Sequence, residues 1–298
     1  MRFRAEISNP SQFARLISSL SPLGKSATLK LTEETTHLIC MPTGTKSDVQ
    51  VWSQIANDSI FNTSTMRVES NNNNEIYLQL SLDHLAKALR SASGATQVTA
   101  KLAKRGGNQG KGDGAYPVLS LVIESSSRLG KRLGITQDVA VKVLKTDDLK
   151  ELKEPLCPQP EVIVILPALQ KLRTVTERLK TISSHVTISA NNLGELRLRA
   201  EADEAKVETE WRGLKRPNGE SMTAEVDDPA EFFSVTLDTK NLLRFLNTYA
   251  VATTTIACFC SNHCAIFYVY VGESKDKVQG GVLTFYVPAI KIDGDDED

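Results

Sequence analysis

Apolar positions along the chain follow two rhythms. Four stretches repeat at three- and four-residue spacing and predict amphipathic helices at 11–23, 81–93, 167–183 and 239–251. At about 100° per residue, the first buries Phe13, Leu16, Ile17 and Leu20, and the second Leu82, Leu85, Ala86 and Leu89. The third buries Leu169, Leu172, Thr176 and Leu179, and the fourth Leu242, Leu243, Leu246 and Tyr249. Between the helices the rhythm changes to alternation, the mark of half-buried strands. "ATLKL", "THLIC", "DVQVWSQI", "TMRVES" and "EIYLQL" follow the first helix, and "QVTAKLAK", "PVLSLVIE" and "DVAVKVLK" the second. "HVTISA", "ELRLRA", "KVETEW" and "FFSVTL" follow the third, and "TTIACFC", "CAIFYVYV" and "VLTFYVPAI" the fourth.

The same order occurs twice. Ser81 and Asp238, both good N-cap residues, precede the second and fourth helices and lie 157 positions apart. The same offset carries Leu78, Leu80, Leu85 and Leu89 onto Val235, Leu237, Leu242 and Leu246, and Pro10 onto Pro167. The first and third helices align their apolar positions better at 156, with Phe13 on Leu169 and Leu16 on Leu172. Trp52 and Trp211 each lie in the third strand of a series. Each half reads strand, helix, strands, helix, strands. The expected fold class is α+β, two similar domains each with two helices packed on antiparallel sheet.

The halves meet at "KTDDLKELKEPLCPQP", residues 145–160, where three prolines in six residues exclude helix and central strand. The expected boundaries are domain one at 1–145, a connector at 146–160 with Leu149, Leu152 and Leu156 as apolar anchors, domain two at 161–292, and an acidic disordered tail at 293–298. "KRGGNQGKGDGA", residues 104–115, predicts a mobile loop between two strands.

Charge changes the picture only through its distribution. The chain has 298 residues and a net charge of −1, so nothing marks it globally as a polyanion binder. Yet the four helices carry Arg15, Lys87, Arg90, Lys171, Arg173, Arg178, Lys180, Lys240 and Arg244 against only Asp83 and Glu177. That is a net of +7, which leaves −8 for everything else. Arg15, Lys87, Lys240 and Arg244 lie opposite the buried stripes, and Arg90 sits beside Lys87. In the third helix Lys171 and Arg178 flank the stripe on one side, Arg173 and Lys180 on the other. A sheet-backed layer of this kind suits phosphates, which it would bind without reading sequence.

The remaining chemistry is sparse. The opening "MRFRAEISNP" lacks the apolar run of a signal peptide, and no stretch nears the roughly 18 apolar residues of a membrane span, so no membrane partner is expected. Five cysteines, an odd number, read as reduced thiols of an intracellular protein. "GKS" at 24–26 lacks the upstream glycine of a phosphate-binding loop, because Ser19 stands there. In "CFCSNHC", Cys258, Cys260, His263 and Cys264 are four soft donors within seven residues. Against zinc, Cys258 and Cys260 share a strand face, Ser261-Asn262-His263 reads as a hairpin turn, and no distant second ligand pair is visible. His37, His84 and His185 have no nucleophile at motif spacing. The expectation is no enzyme, no metal and no cofactor.

The opening "MRFRAEI", "NNNNEIYLQLSLDHLAKAL", "LKELKEPLCPQPEVIVILP", "ISSHVTISANNLGELRLRAE" and the ending "LTFYVPAI" resemble the Hus-one family, over almost the whole chain. Members of that family are one subunit of the DNA-damage checkpoint clamp, a heterotrimeric relative of PCNA. The resemblance implies a sliding-clamp fold, a ring with two other clamp-like subunits, helices lining the hole and double-stranded DNA passing through. It also implies an ATP-dependent clamp loader, recruited checkpoint and repair proteins, and a nuclear location. By analogy with clamps, neighbours would pair along 138–145 and 205–211, bringing in Val139, Val141, Val143, Val207, Thr209 and Trp211. The connector, through Leu149, Leu152 and Leu156, would dock partner peptides. The glycine-rich loop and the tail depart from the family pattern. Two alternatives are a homotrimeric replication clamp, against which the family-specific segments argue, and a metal-dependent enzyme built on Cys258–Cys264.

Overall fold

The computed structural model describes residues 1–42, 48–106, 114–126, 132–217, 224, 226, 228–272 and 280–290. The centre of the expected glycine-rich loop and the acidic tail lie outside the described residues. The first half of the chain forms β1 (Arg2–Ile7), α1 (Pro10–Leu20), β2 (Ala27–Leu31), β3 (Thr35–Cys40), β4 (Gln50–Ala56), α2 (Asn57–Ile60), β5 (Phe61–Glu69), β6 (Ile76–Leu80), α3 (Leu82–Ser91), β7 (Gln97–Arg105), β8 (Tyr116–Ser126), β9 (Arg132–Val143) and α4 (Thr146–Leu149). The second forms β10 (Val162–Ile165), α5 (Leu169–Leu179), β11 (His185–Ala190), β12 (Leu196–Ala202), β13 (Ala205–Trp211), β14 (Phe233–Asp238), α6 (Thr239–Leu246), β15 (Ala252–Cys260), β16 (Cys264–Val271) and β17 (Gly281–Pro288).

Two compact units result, one of Met1–Met41, Trp52–Lys153 and Gly272–Val282, the other of Pro42–Val51, Glu154–Val271 and Leu283–Asp298. The repeat in sequence is a repeat in topology. The order β4-β3-β2-β6 in the first half recurs as β13-β12-β11-β14 in the second, and β9-β8-β7-β1 recurs as β17-β16-β15-β10. An additional strand, β5, lies outside β1 at the sheet's edge. Neighbours such as β7–β8, β8–β9 and β15–β16 are long antiparallel ladders.

The helices α1, α3 and α6 each start where a side chain takes an orphan N–H, whereas α5 begins after Ala168 without one. Asn9 Oδ1 accepts from the Gln12 amide at 3.0 Å, Ser81 Oγ from His84 at 3.4 Å and Asp238 Oδ1 from Asn241 at 2.9 Å. The helices are shorter than their periodicity suggests. After α1 and α6 the chain tightens into 3-10 turns at Ser21–Leu23 and Asn247–Ala250.

In the first unit α1 packs beside α3, with Ile17, Leu20, Leu82, Leu85 and Leu89 fully buried. Phe61 meets Phe3 and Phe13 edge-on, with ring centroids 5.9 and 6.0 Å apart. In the second unit α5 packs beside α6. Phe245 stacks on Phe267 at 4.1 Å and meets Phe285 edge-on at 5.3 Å. This corrects the expected stripe of the fourth helix. Phe245 is buried, Leu243 is half-buried and Tyr249 is exposed. The 3-10 turn has about three residues per turn rather than 3.6, so residues beyond Leu246 leave the angular frame that placed Tyr249 inside.

Candidate nucleic-acid interface

The paired helices present the basic side chains in two different ways. In the first unit Arg15, Lys87 and Arg90 are exposed, and Arg90 Nε donates only to the Ala86 carbonyl of its own helix, at 3.3 Å. In the second unit Lys171, Arg178, Lys180 and Lys240 are exposed. Among the described residues these seven cations make no ion pair. Arg173 and Arg244 differ. Arg173 is half-buried, donates to Glu177 at 2.9 Å and to Asn247 Oδ1 at 2.7 Å, and lies 5.3 Å from the Tyr249 ring. Arg244 is half-buried, donates to Asn241 Oδ1 at 3.1 Å and approaches Asp48 at 3.7 Å.

Several cations on or beside the strands are matched by carboxylates instead, although Arg4, Arg67, Lys101, Lys104 and Lys206 make no ion pair among the described residues. Lys30 pairs with Glu75 at 2.8 Å, Arg105 with Asp138, Lys142 with Asp148 at 3.2 Å, and Arg197 with Glu210 at 3.1 Å. Arg199 pairs with Glu201, and Arg212 with Glu210 at 2.9 Å. Of the ion pairs among the described residues only two, those of Arg173 and Arg244, use a helix cation. Ion pairing is thus sparser on the helices, where seven of nine cations make none among the described residues, than on the sheets. Open lysines and arginines on rigid helices can each take a phosphate and release a counterion.

The edges of β13 and of part of β9 are open among the described residues. β13 ends its four-stranded order, with β12 as its one partner among the described residues. Val207 is exposed there, while Thr209 and Trp211 are half-buried. β9 changes partners along its length. Its segment 132–140 pairs with β8, and Val141–Val143 pairs with β6. The first segment therefore keeps one backbone edge free among the described residues. Val139 and Val141 point into the core, at 2% and 8% exposure, and Val143 is half-buried. The apolar face they belong to continues outward to Ile135 and Leu133, at 36% and 52% exposure. Sequence reasoning missed these two because it began the strand at residue 138; the alternation Leu133, Ile135, Val139, Val141 carried the signal.

The connector begins with the single turn α4 and then runs extended. Leu149 and Leu152 are half-buried anchors, whereas Leu156 is 97% exposed and anchors nothing. The next residue, Cys157, turns inward against the pair formed by Cys260 and Cys264. Tyr286 Oη donates to the connector's Glu154 at 2.7 Å. Burial pushes the Cys258 thiol up to about 12. Its hydrogen bond with Cys260, and then burial, hold Cys264 protonated. Neither environment activates a nucleophile. Among the described residues no helix is long and apolar enough to cross a membrane.

Comparison with known proteins agrees with this architecture. The family model described as Hus1-like protein matches residues 1–291. Checkpoint protein hus1 of Schizosaccharomyces pombe is 35% identical over 297 residues, covering 96% of this chain and 98% of the relative. Checkpoint protein HUS1 of Homo sapiens is 29% identical over 294 residues, covering 97% of this chain and 100% of the relative. Among solved structures, the proliferating cellular nuclear antigen of Entamoeba histolytica superposes with a TM-score of 0.65 at 14% identity, covering 97% of this chain and 99% of that one. The fold is that of the sliding clamps.

Proposed function

The chain belongs to the Hus1-like protein family, and from that premise we propose that it is a non-enzymatic subunit of a heterotrimeric checkpoint clamp. The ring encircles DNA at damage sites and serves as a platform for checkpoint and repair proteins in the nucleus. Residues 1–145 and 161–292 act as its two clamp domains, joined by the connector at 146–160. The observation that carries this reading is the excess of cations on the helices, seven of which are exposed and make no ion pair among the described residues. A layer that holds phosphates without base contacts lets DNA slide, because no register is favoured.

Head-to-tail contact with two other clamp-like chains uses the free edges of β9 and β13 through backbone pairing. Val139, Val141, Val143, Val207, Thr209 and Trp211 lie on those strands, and the uncovered Leu133 and Ile135 extend the contact. Arg15, Lys87, Arg90, Lys171, Arg178, Lys180 and Lys240 face the DNA. Arg173 and Arg244 contribute field more than contact, since both are already paired. Leu149, Leu152 and Leu156 form the partner-docking segment, with Leu156 as its outward apolar side chain. An ATP-dependent loader opens and closes the ring.

The test is topological. The chain is co-expressed with two candidate partner subunits, and the complex is loaded on closed circular DNA. The expected result is retention in high salt that is lost when the circle is cut. A stable homotrimer of this chain alone, or equal retention on linear and circular DNA, would overturn the proposal.

A further inference from the structure

One group of side chains is left unused by the clamp reading. Cys157 on the connector, His263 in the β15–β16 turn and Cys264 at the start of β16 each offer a ligand atom, all within 4.8 Å of one another. The Cys264 and Cys157 sulfurs are 3.5 Å apart, and His263 Nδ1 lies 3.2 Å from the Cys264 sulfur. Cys260 faces Cys264 across the hairpin, shares a hydrogen bond with its thiol, and donates to the Pro158 carbonyl at 3.4 Å. The distant ligand that the sequence lacked is Cys157, brought across 107 positions.

The spacing suits a tetrahedral ion. Zinc–sulfur bonds of about 2.3 Å and zinc–nitrogen bonds of about 2.0 Å place neighbouring ligand atoms about 3.5–3.8 Å apart. The two separations from the Cys264 sulfur, 3.5 and 3.2 Å, are within a few tenths of an ångström of that, and Cys260, which lies outside the three-residue group, would turn its thiol from the Pro158 carbonyl to complete the cage. The cage is also held in place beforehand. The His263 amide donates to the Cys260 carbonyl at 3.0 Å, the Ala289 amide to the His263 carbonyl at 2.9 Å, and the Ser261 amide to Glu161 at 3.1 Å. Cysteines packed only as small apolar side chains do not call for an imidazole nitrogen turned toward their sulfurs.

We propose that Cys157, Cys260, His263 and Cys264 bind one Zn²⁺ in a closed structural site that staples the connector to the β15–β16 hairpin. Thiolates with one imidazole are the donor set that zinc favours, and four protein ligands leave no position for substrate. Binding releases the thiol protons, so affinity rises with pH. The staple fixes Cys157 and with it the presentation of the adjacent Leu156. This inference stands independently of whether the chain encircles DNA.

The test uses the full chain, reduced and stripped with a chelator, titrated with Co²⁺ as a spectroscopic stand-in for zinc. The expected result is a thiolate-to-cobalt absorption band with tetrahedral ligand-field bands, saturating at one ion per chain and displaced by Zn²⁺. Cys157→Ser, His263→Ala and Cys260→Ser should each weaken binding by about tenfold or more, the minimum seen for loss of groups supporting a metal site. Cys258→Ser should bind like the parent. Cys157 is half-buried and His263 is exposed, so both variants should retain the parent circular dichroism spectrum and keep the comparison interpretable. Absence of a cobalt–thiolate band in the fully reduced parent, or an undiminished band in Cys157→Ser, would overturn the site. So would a Cys157–Cys264 disulfide in place of bound metal.

Discussion

Lys87 and Arg244 occupy equivalent positions of the repeat, yet their surroundings differ. Lys87 stands open on α3, while Arg244 is half-buried between Asn241 and Asp48. An open cation contributes little to stability and much to salt-dependent binding; a paired one does the reverse. Lys87→Glu combined with Lys240→Glu should therefore leave the urea midpoint unchanged. In the assembled ring it should lower the salt dependence of DNA retention by about one in slope per residue, measured by retention across a salt series. Arg173→Ala should instead cost about 1 kcal/mol of stability in urea denaturation, since it removes a partly exposed ion pair, a hydrogen bond and a ring contact. Acid sensitivity has a residue-level source in Glu75. Burial opposes its charge, but hydrogen bonds with Lys30 and Tyr77 outweigh that and hold the carboxyl below its ordinary value of 4.5. The stabilisation from a depressed carboxylate is present above the unfolded value and lost as the pH falls through the folded one. The stability gap between the parent and Glu75→Gln should therefore be full at neutral pH and close as the pH drops below 4.5, as urea midpoints at successive pH values would show.

At the scale of elements, the amphipathic stripes and their caps account for where the helices lie. Ser81 and Asp238 could be read as N-caps from their place before each stripe, and both side chains do accept the expected amide. Asp238→Ala should cost about 1 kcal/mol, and Ser81→Ala less, given its longer 3.4 Å bond. The seat of α6 is aromatic. Phe245→Ala should cost about 3–5 kcal/mol, seen as a lower urea midpoint, because Phe267 and Phe285 would lose the ring they close upon. The helices α2 and α4, four residues each, were not readable, since one turn is too short to show a period. A backbone constraint was hidden as well. Gly194 has φ +81°, and a Cβ there would collide with the Leu214 carbonyl, a contact that no local pattern announces.

At the scale of the whole molecule, β9 and β13 offer free backbone from non-equivalent places in the repeat, as a head-to-tail contact requires. If β9 and β13 join neighbouring subunits, Leu133→Asp with Ile135→Asp should abolish assembly with the adjacent subunit, read as mass by sedimentation. The chain's own stability should stay within about 0.5 kcal/mol, because both side chains already meet solvent. Val139 and Val141 are unsuited to that experiment. They are core residues of their own unit, and charging them would unfold the subunit rather than separate it from its neighbour.

Periodicity, caps and the 157-residue offset are local or repeated properties, so the sequence alone determined the fold class, the duplicated order of elements and the sign of the helix charge. Burial stripes need only the pitch of one helix. Which cations remain open depends on carboxylates brought from other elements, as with Arg244 and Asp48. Which part of β9 is uncovered depends on where β6 takes over from β8. Cys157 meets Cys264 because an extended connector passes the tip of a hairpin 107 positions away. Those outcomes belong to the tertiary structure, because each is a contact between segments whose separation along the chain carries no periodic signal.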